Sequence, residues 1–169
     1  SRKQQERTTQ FEGNAMLSAK AYRDLYRHAR TNERCYRKSG RLCLCCLFVY
    51  DLEQETHQWK YYGFRNMAEE ILAEEGPAPE AMIPLADGSW LLVYVEDEGS
   101  GDTALQTQLW RLRQCANTYL EAELNAYFIP DIPALELRQQ YTRLLNVTKL
   151  DVTSRNAIIR ADRHTNNAR

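Results

Sequence analysis

"MIPLADGSWLLVYV", residues Met82–Val95, is two apolar runs hinged on Asp87-Gly88. Asp-Gly supplies the positive φ angles of a tight two-residue turn, so the stretch reads as a β-hairpin. A hairpin in mid-chain constrains what can lie on either side of it. Upstream, "RLCLCCLFVYD" (Arg41–Asp51) is apolar without alternation, the pattern of a strand buried on both faces. Between the two runs a helical stripe of Tyr61, Phe64, Ala68, Ile71 and Leu72 marks a helix from about Gln58 to Glu75. "EEGPAPE" stops it with Gly and two prolines. Downstream, Asp102 is placed to cap a long helix from Thr103 to about Glu123. Its stripe is Leu105, Leu109, Leu112, Ala116 and Leu120. "NAYFIPDIP" then reads as a short strand closed by prolines, and Pro133 suits the first turn of another helix, to about Asn146.

The order is strand, helix, strand, strand, helix, strand. It predicts an α+β, ferredoxin-like (βαββαβ) unit. Right-handed crossovers would put both helices on one face of an antiparallel sheet. A C-terminal helix follows the last strand. An amphipathic helix precedes the first, because Phe11, Ala15, Ala19, Tyr22, Tyr26 and Ala29 recur in steps of three and four over residues 11–30. The chain therefore divides into an N-terminal entry helix (residues 1–38), the ferredoxin-like domain (39–150) and a C-terminal segment (151–169).

A chain of 169 residues is long enough to bury one substantial core. No apolar run approaches the ~20 residues that span a bilayer, and no signal peptide is visible. The expected location is cytoplasmic. The chain opens on Ser1 rather than Met and reads as the interior of a longer protein. The five cysteines are Cys35, Cys43, Cys45, Cys46 and Cys115, an odd count without metal-ligand spacing. They read as small apolar residues of a reduced compartment. Charge is unevenly spread: residues 1–41 hold eleven Lys/Arg against four Asp/Glu, and residues 42–150 hold seven against seventeen. An acidic body argues against wrapping DNA by itself.

Catalytic signatures do not appear. There is no Walker-type loop, no GxGxxG and no GxSxG. His28, His57 and His164 lie in three separate segments. The acidic loop at Glu96, Asp97 and Glu98 reads as solvated. No cofactor and no metal site is expected. Aromatic residues crowd at Tyr22, Tyr26, Trp59 and Tyr62, and these are the candidates for an interface or ligand contact. Trp90 and Trp110 read as core.

The six-element order resembles the core of nucleotide-cyclising GGDEF domains. In that family the hairpin turn reads Gly-Gly-Asp/Glu-Glu-Phe. Here the same place reads Ala86-Asp87-Gly88-Ser89-Trp90, without the paired glycines and the acidic pair. Asp51 stands where the family has a metal-binding Asp. With Asp87 it would make the remnant of such a site, and a lone carboxylate holds catalytic Mg²⁺ poorly.

"WKYYGFRNMAEEIL" (Trp59–Leu72) resembles a segment of bacterial AraC-type regulators, notably two-component response regulators. Phe64, Asn66, Glu69, Glu70, Ile71 and Leu72 match its aromatic-x-x-Asn-x-x-x-Glu-Ile/Leu pattern. The hairpin, the "YL" at Tyr119-Leu120, the Tyr141 helix and the final "SRNAII" follow in the matching order, over roughly residues 15–160. The resemblance implies a degenerate GGDEF-like middle domain: sensory or dimerising, non-catalytic, and relaying a signal to a DNA-binding half outside this chain. Its implied partners are an upstream receiver or sensor domain, a second copy of the chain and an unnamed small-molecule ligand. It touches DNA only through that absent half, and no membrane. The competing reading is a nucleotide-binding or residual diguanylate-cyclase-like enzyme built on Asp51 and Asp87.

Overall fold

The computed structural model describes residues 23, 41–50, 52, 58–96 and 101–164. The expected entry helix, with Tyr22 and Tyr26, lies outside the described residues, and so does Asp51. The rest is α+β, in the order β1 (Arg41–Val49), α1 (Gln58–Glu74), β2 (Ala81–Pro84), β3 (Trp90–Val95), α2 (Thr103–Leu120), β4 (Leu124–Pro133), a 3-10 turn (Ala134–Glu136), α3 (Leu137–Leu150), β5 (Ile158–Arg160) and α4 (Ala161–His164).

The five strands form one sheet in the order β2-β3-β1-β4-β5. The pairs β2–β3, β3–β1 and β1–β4 are antiparallel, and β4–β5 is parallel. The sheet is therefore mixed, not purely antiparallel as the sequence suggested. The parallel strand comes from the C-terminal segment, so the packed unit continues past residue 150. Its three residues carry too little apolar pattern to announce a strand.

β1 is central and buried on both faces, as its unbroken apolar run requires. Cys43, Cys45, Leu47 and Val49 join one core with the stripes of α1 and α2. Leu42, Leu44 and Cys46 join a second core with Leu137, Tyr141, Leu144 and Val147 of α3. α1 and α2 thus share a face, as expected, while α3 covers the opposite one. Gln108 is the polar member of the α2 stripe. Its amide donates to the Glu75 and Pro77 carbonyls, and its oxygen accepts from the Tyr94 hydroxyl at 2.9 Å. It closes the C-terminal end of α1 against β3. Asp102 precedes α2 as expected, but its side chain makes no cap hydrogen bond. Its carboxylate lies 3.3 Å from the Arg160 guanidinium instead.

The hairpin is longer at its tip than the Asp-Gly signal implied. The Leu85 N–H donates to the Ser89 carbonyl at 2.8 Å and the Gly88 N–H to the Leu85 carbonyl at 3.1 Å. That is a three-residue loop, a β-turn followed by one left-handed residue. Only Gly88 needs positive φ (87°), and nothing lies within 4 Å of where a Cβ would stand. Gly88→Ala therefore costs backbone strain alone, about 1–2 kcal/mol. Equilibrium urea melts of the two proteins measure it, and an unchanged midpoint would refute it.

β4 carries the other distortion. Two residues, Pro130 and Asp131, oppose the single Cys43 between the Leu42 and Leu44 pairings, a β-bulge. Asp131 sits at φ 57°, and its N–H donates to Glu96 Oε2 at 2.9 Å.

Candidate interaction surface

α1 buries Phe64, Ala68, Ile71 and Leu72 and turns its other side to solvent. Trp59 and Tyr62 stand on that outer side, 60% and 58% exposed. Tyr61 points the other way and stacks on Trp90, with centroids 5.0 Å apart. The helical repeat separates these neighbours: a residue one place from the stripe is rotated by ~100°. The Lys60 ammonium lies over the Trp59 ring at 5.6 Å, and Tyr62 meets Tyr61 edge-on at 5.4 Å. A Cβ on Gly63 would stand 3.3 Å from the Leu120 side chain, so the start of α1 adjoins the end of α2. The exposed Tyr119 is therefore at the same end of the helix pair as Trp59 and Tyr62. Further along α1, Glu69, Glu70 and Glu74 are exposed.

Trp110 corrects the sequence reading. It is 52% exposed, whereas Trp90 is core. The stripe Leu105, Leu109, Leu112, Ala116 and Leu120 already excluded Trp110 from the buried side of α2. Bulk and apolarity suggested core, and the helical phase decided otherwise.

Asp87, the described member of the suspected acidic pair, turns back into its own loop. Its Oδ1 accepts from the Ser89 N–H at 3.0 Å and from the Ser89 hydroxyl, and the residue is buried. Through this oxygen the carboxylate holds the hairpin tip. Cys43, Cys45 and Cys46 are buried free thiols, and burial pushes the thiols of Cys43 and Cys45 well up. They behave as small apolar residues. Among the described residues no group of three His, Cys, Asp or Glu side chains could hold a metal ion. No described helix is long and apolar enough to cross a membrane.

Two polar clusters were not legible beforehand. One lies at the bulge, where a cleft of about 270 Å³ is lined by Arg41, Asp131, Gln140, Arg143 and Asp162, among others. Its charges are largely engaged with one another. Arg41 lies 3.5 Å from Asp131, Arg143 donates to the Asp162 carbonyl, and Arg160 pairs with Asp162 at 2.9 Å. Beside it, burial raises the Glu96 carboxyl, and Asp131 and Asp102 add to the rise against the opposing Asp131 N–H and Arg160. A carboxyl raised by folding costs stability when ionised. The cost is absent below the ordinary value of 4.5 and grows as pH climbs through the raised one. Glu96→Gln should raise the melting temperature at pH 7 and leave it unchanged at pH 4. A rise of equal size at both would disprove the linkage.

The second cluster fastens residues 151–157 to the end of the sheet. The Tyr127 hydroxyl donates to Asp151 Oδ2 at 2.9 Å. The Asn125 amide donates to the Tyr127 and Tyr50 hydroxyls and to the Ser154 carbonyl. Asn117 and Asn156 exchange a reciprocal pair of amide hydrogen bonds, at 2.9 and 3.0 Å. Burial works to raise Asp151, but donors from Ser154, Tyr127 and Thr153 outweigh it and hold the carboxyl below its usual range. The available signal was the polar Asn125 inside an otherwise apolar strand.

No protein-family model, curated protein or solved structure matches the chain.

Proposed function

We propose that this chain is a non-catalytic regulatory module, sensory or dimerising, of a bacterial AraC-type transcription regulator of the two-component kind. The observation that carries the reading is the outer side of α1, which holds two large aromatic side chains in solvent at Trp59 and Tyr62. Rigid aromatic groups are enriched among the residues that carry binding energy at interfaces. The segment bearing them is the one whose pattern resembles the middle region of those regulators. Two further features support the reading. The first four strands run β4-β1-β3-β2, mutually antiparallel, with α1 and α2 on one face, as a ferredoxin-like core requires. The hairpin tip, catalytic in GGDEF enzymes, here spends its Asp87 carboxylate on Ser89.

The experiment is a thermal melt against GTP with Mg²⁺, cyclic dinucleotides, sugars and amino acids. A ligand at 100 times its dissociation constant stabilises by about 2.7 kcal/mol. GTP with Mg²⁺ should produce no shift and no turnover. A shift with a metabolite would make the module a sensor. A shift with GTP and Mg²⁺, abolished by Asp87→Ala, would replace this reading with that of a nucleotide-binding enzyme.

A further inference from the structure

The charges of α1 run against its own dipole. A helix favours acidic side chains in its first turn and basic ones in its last. α1 has neither, and carries Lys60 at its start and Glu74 at its end instead. Arg65 and Glu69 pair at 3.3 Å, in the weaker of the two i,i+4 orders. Local helix stability therefore does not account for the order of these charges. Bulk is distributed in the same one-sided way on the outer side of the helix. Trp59 and Tyr62 stand exposed near its start, and the small Ala73 stands exposed near its end.

We propose that the outer side of α1 pairs with α1 of a second copy of this chain, antiparallel across a two-fold axis at Asn66. The proposal deepens the dimerising form of the regulatory reading and rests on it. A two-fold contact must be self-complementary. At ~100° per residue, Trp59, Tyr62, Asn66, Glu70 and Ala73 fall within ~40° of the line opposite the buried Phe64 and Ala68. Asn66 is the middle residue of the helix, so the two-fold sets Trp59 on the partner's Ala73. A large ring thus meets a small residue at each end. Arg65 and Glu69 share one flank of this line, and the two-fold brings Arg65 beside the partner's Glu69. On the other flank Lys60 comes beside the partner's Glu70 and Glu74. At ~1.5 Å per residue, each of these pairs lies within ~3 Å along the helix axis. A parallel pair would set like charge against like, so the charges also fix the direction. One helix pair is a small interface, under about 1,200 Å², which suits a transient dimer with a dissociation constant on the order of 10 μM.

The test is sedimentation equilibrium of the full 169-residue chain, from about 1 to about 200 μM. Two charge-reversed chains are compared with it: one carries Lys60→Glu and Arg65→Glu, the other Glu69→Lys and Glu70→Lys. Each alone should dimerise about tenfold more weakly or worse, because its two-fold contact opposes like charges. Mixed in equal amounts, they should form a one-to-one dimer of near-native affinity. Within each reversed helix positions 65 and 69 stay alike in charge, so mixing can rescue only a contact between chains. If a reversed chain does not fold, Arg65→Glu mixed with Glu69→Lys reads the same rescue. Trp59→Ala should weaken the native dimer about tenfold. At about 1 μM, where the chain is monomeric, the same substitution should leave the melt unchanged. A chain that stays monomeric at about 200 μM overturns the proposal, whatever ligands it binds. GTP turnover with the dimer intact overturns the regulatory reading instead. A dimer that none of these substitutions weakens belongs to another surface, and a mixture no tighter than its components has no antiparallel α1 contact. Either result overturns the proposal.

Discussion

Trp90→Ala should unfold this domain more readily than any substitution on its surface, at a cost of about 3–5 kcal/mol. The indole is 2% exposed and opens β3 immediately after the hairpin loop. It pairs in register with Leu47 of β1 on one side and Pro84 of β2 on the other. Tyr61 stacks on it, and the Phe64 ring centroid lies 5.1 Å away. One side chain thus joins the hairpin, the central strand and α1. Its removal leaves a cavity that two strands and a helix cannot jointly close. At ~2–4 °C per kcal/mol for a domain of this size, the midpoint should fall by roughly 10 °C. Trp59→Ala and Trp110→Ala should stay within about 0.5 kcal/mol, because both rings stand largely in solvent and their removal leaves no enclosed cavity. Parallel urea melts decide it. A Trp90 variant that loses under 1 kcal/mol would mean the hairpin is not anchored through this ring.

The same residues show what the sequence could specify. Burial of β1 on both faces, the α1 and α2 stripes, and the place of the hairpin all follow from apolar periodicity, which responds to a layer of neighbours rather than to one partner. The features that escaped each depend on a single distant or local polar group. The hairpin tip is three residues because Asp87 bonds Ser89 and Gly88 alone takes the left-handed angle. The bulge at Pro130 and Asp131 is completed by Glu96, 35 positions away. The N-terminal end of α2 lost its side-chain cap because Asp102 meets Arg160, a residue of the strand that the sequence did not reveal.

The candidate surface was legible in the same partial way. Crowding of Trp59 and Tyr62 is a sequence fact, but crowding serves a core as well as an interface. The rotation of α1 about Phe64 and Ala68 separates Tyr61, which goes in, from Tyr62, which stays out. Asp87 is the converse: the resemblance singles it out by its place in the turn, whereas its hydrogen bonds to Ser89 within the loop were not legible.

Asn156→Ala should cost about 2–5 kcal/mol, and the loss should be felt first where the chain leaves the sheet. Asn156 adopts φ 62°, a conformation costing an alanine about 1–2 kcal/mol. Its side chain bonds Asn117 in both directions and accepts from the Leu124 N–H at 3.3 Å. Its own carbonyl accepts from Arg113 at 3.3 Å. Truncation takes the donor from the Asn117 side-chain oxygen and the acceptor from the Leu124 N–H, a further penalty of about 1–3 kcal/mol, while the Asn117 amide nitrogen keeps the Ala122 carbonyl. The two contributions can be separated. Asn156→Gly removes the strain but not the lost hydrogen bonds, and should recover roughly half of the loss. Asn156→Asp keeps the acceptor and loses the donor. It should fall between the native protein and the alanine variant. Two residues later begins β5, whose only described neighbour in the sheet is β4. β5 is the edge of the described sheet, so hydrogen exchange there should accelerate before that of the central β1 and β3. Uniform acceleration throughout the sheet would instead make Asn156 part of the global core. Unchanged exchange and an unchanged melt would show that the Asn117–Asn156 pair does not hold the exit strand.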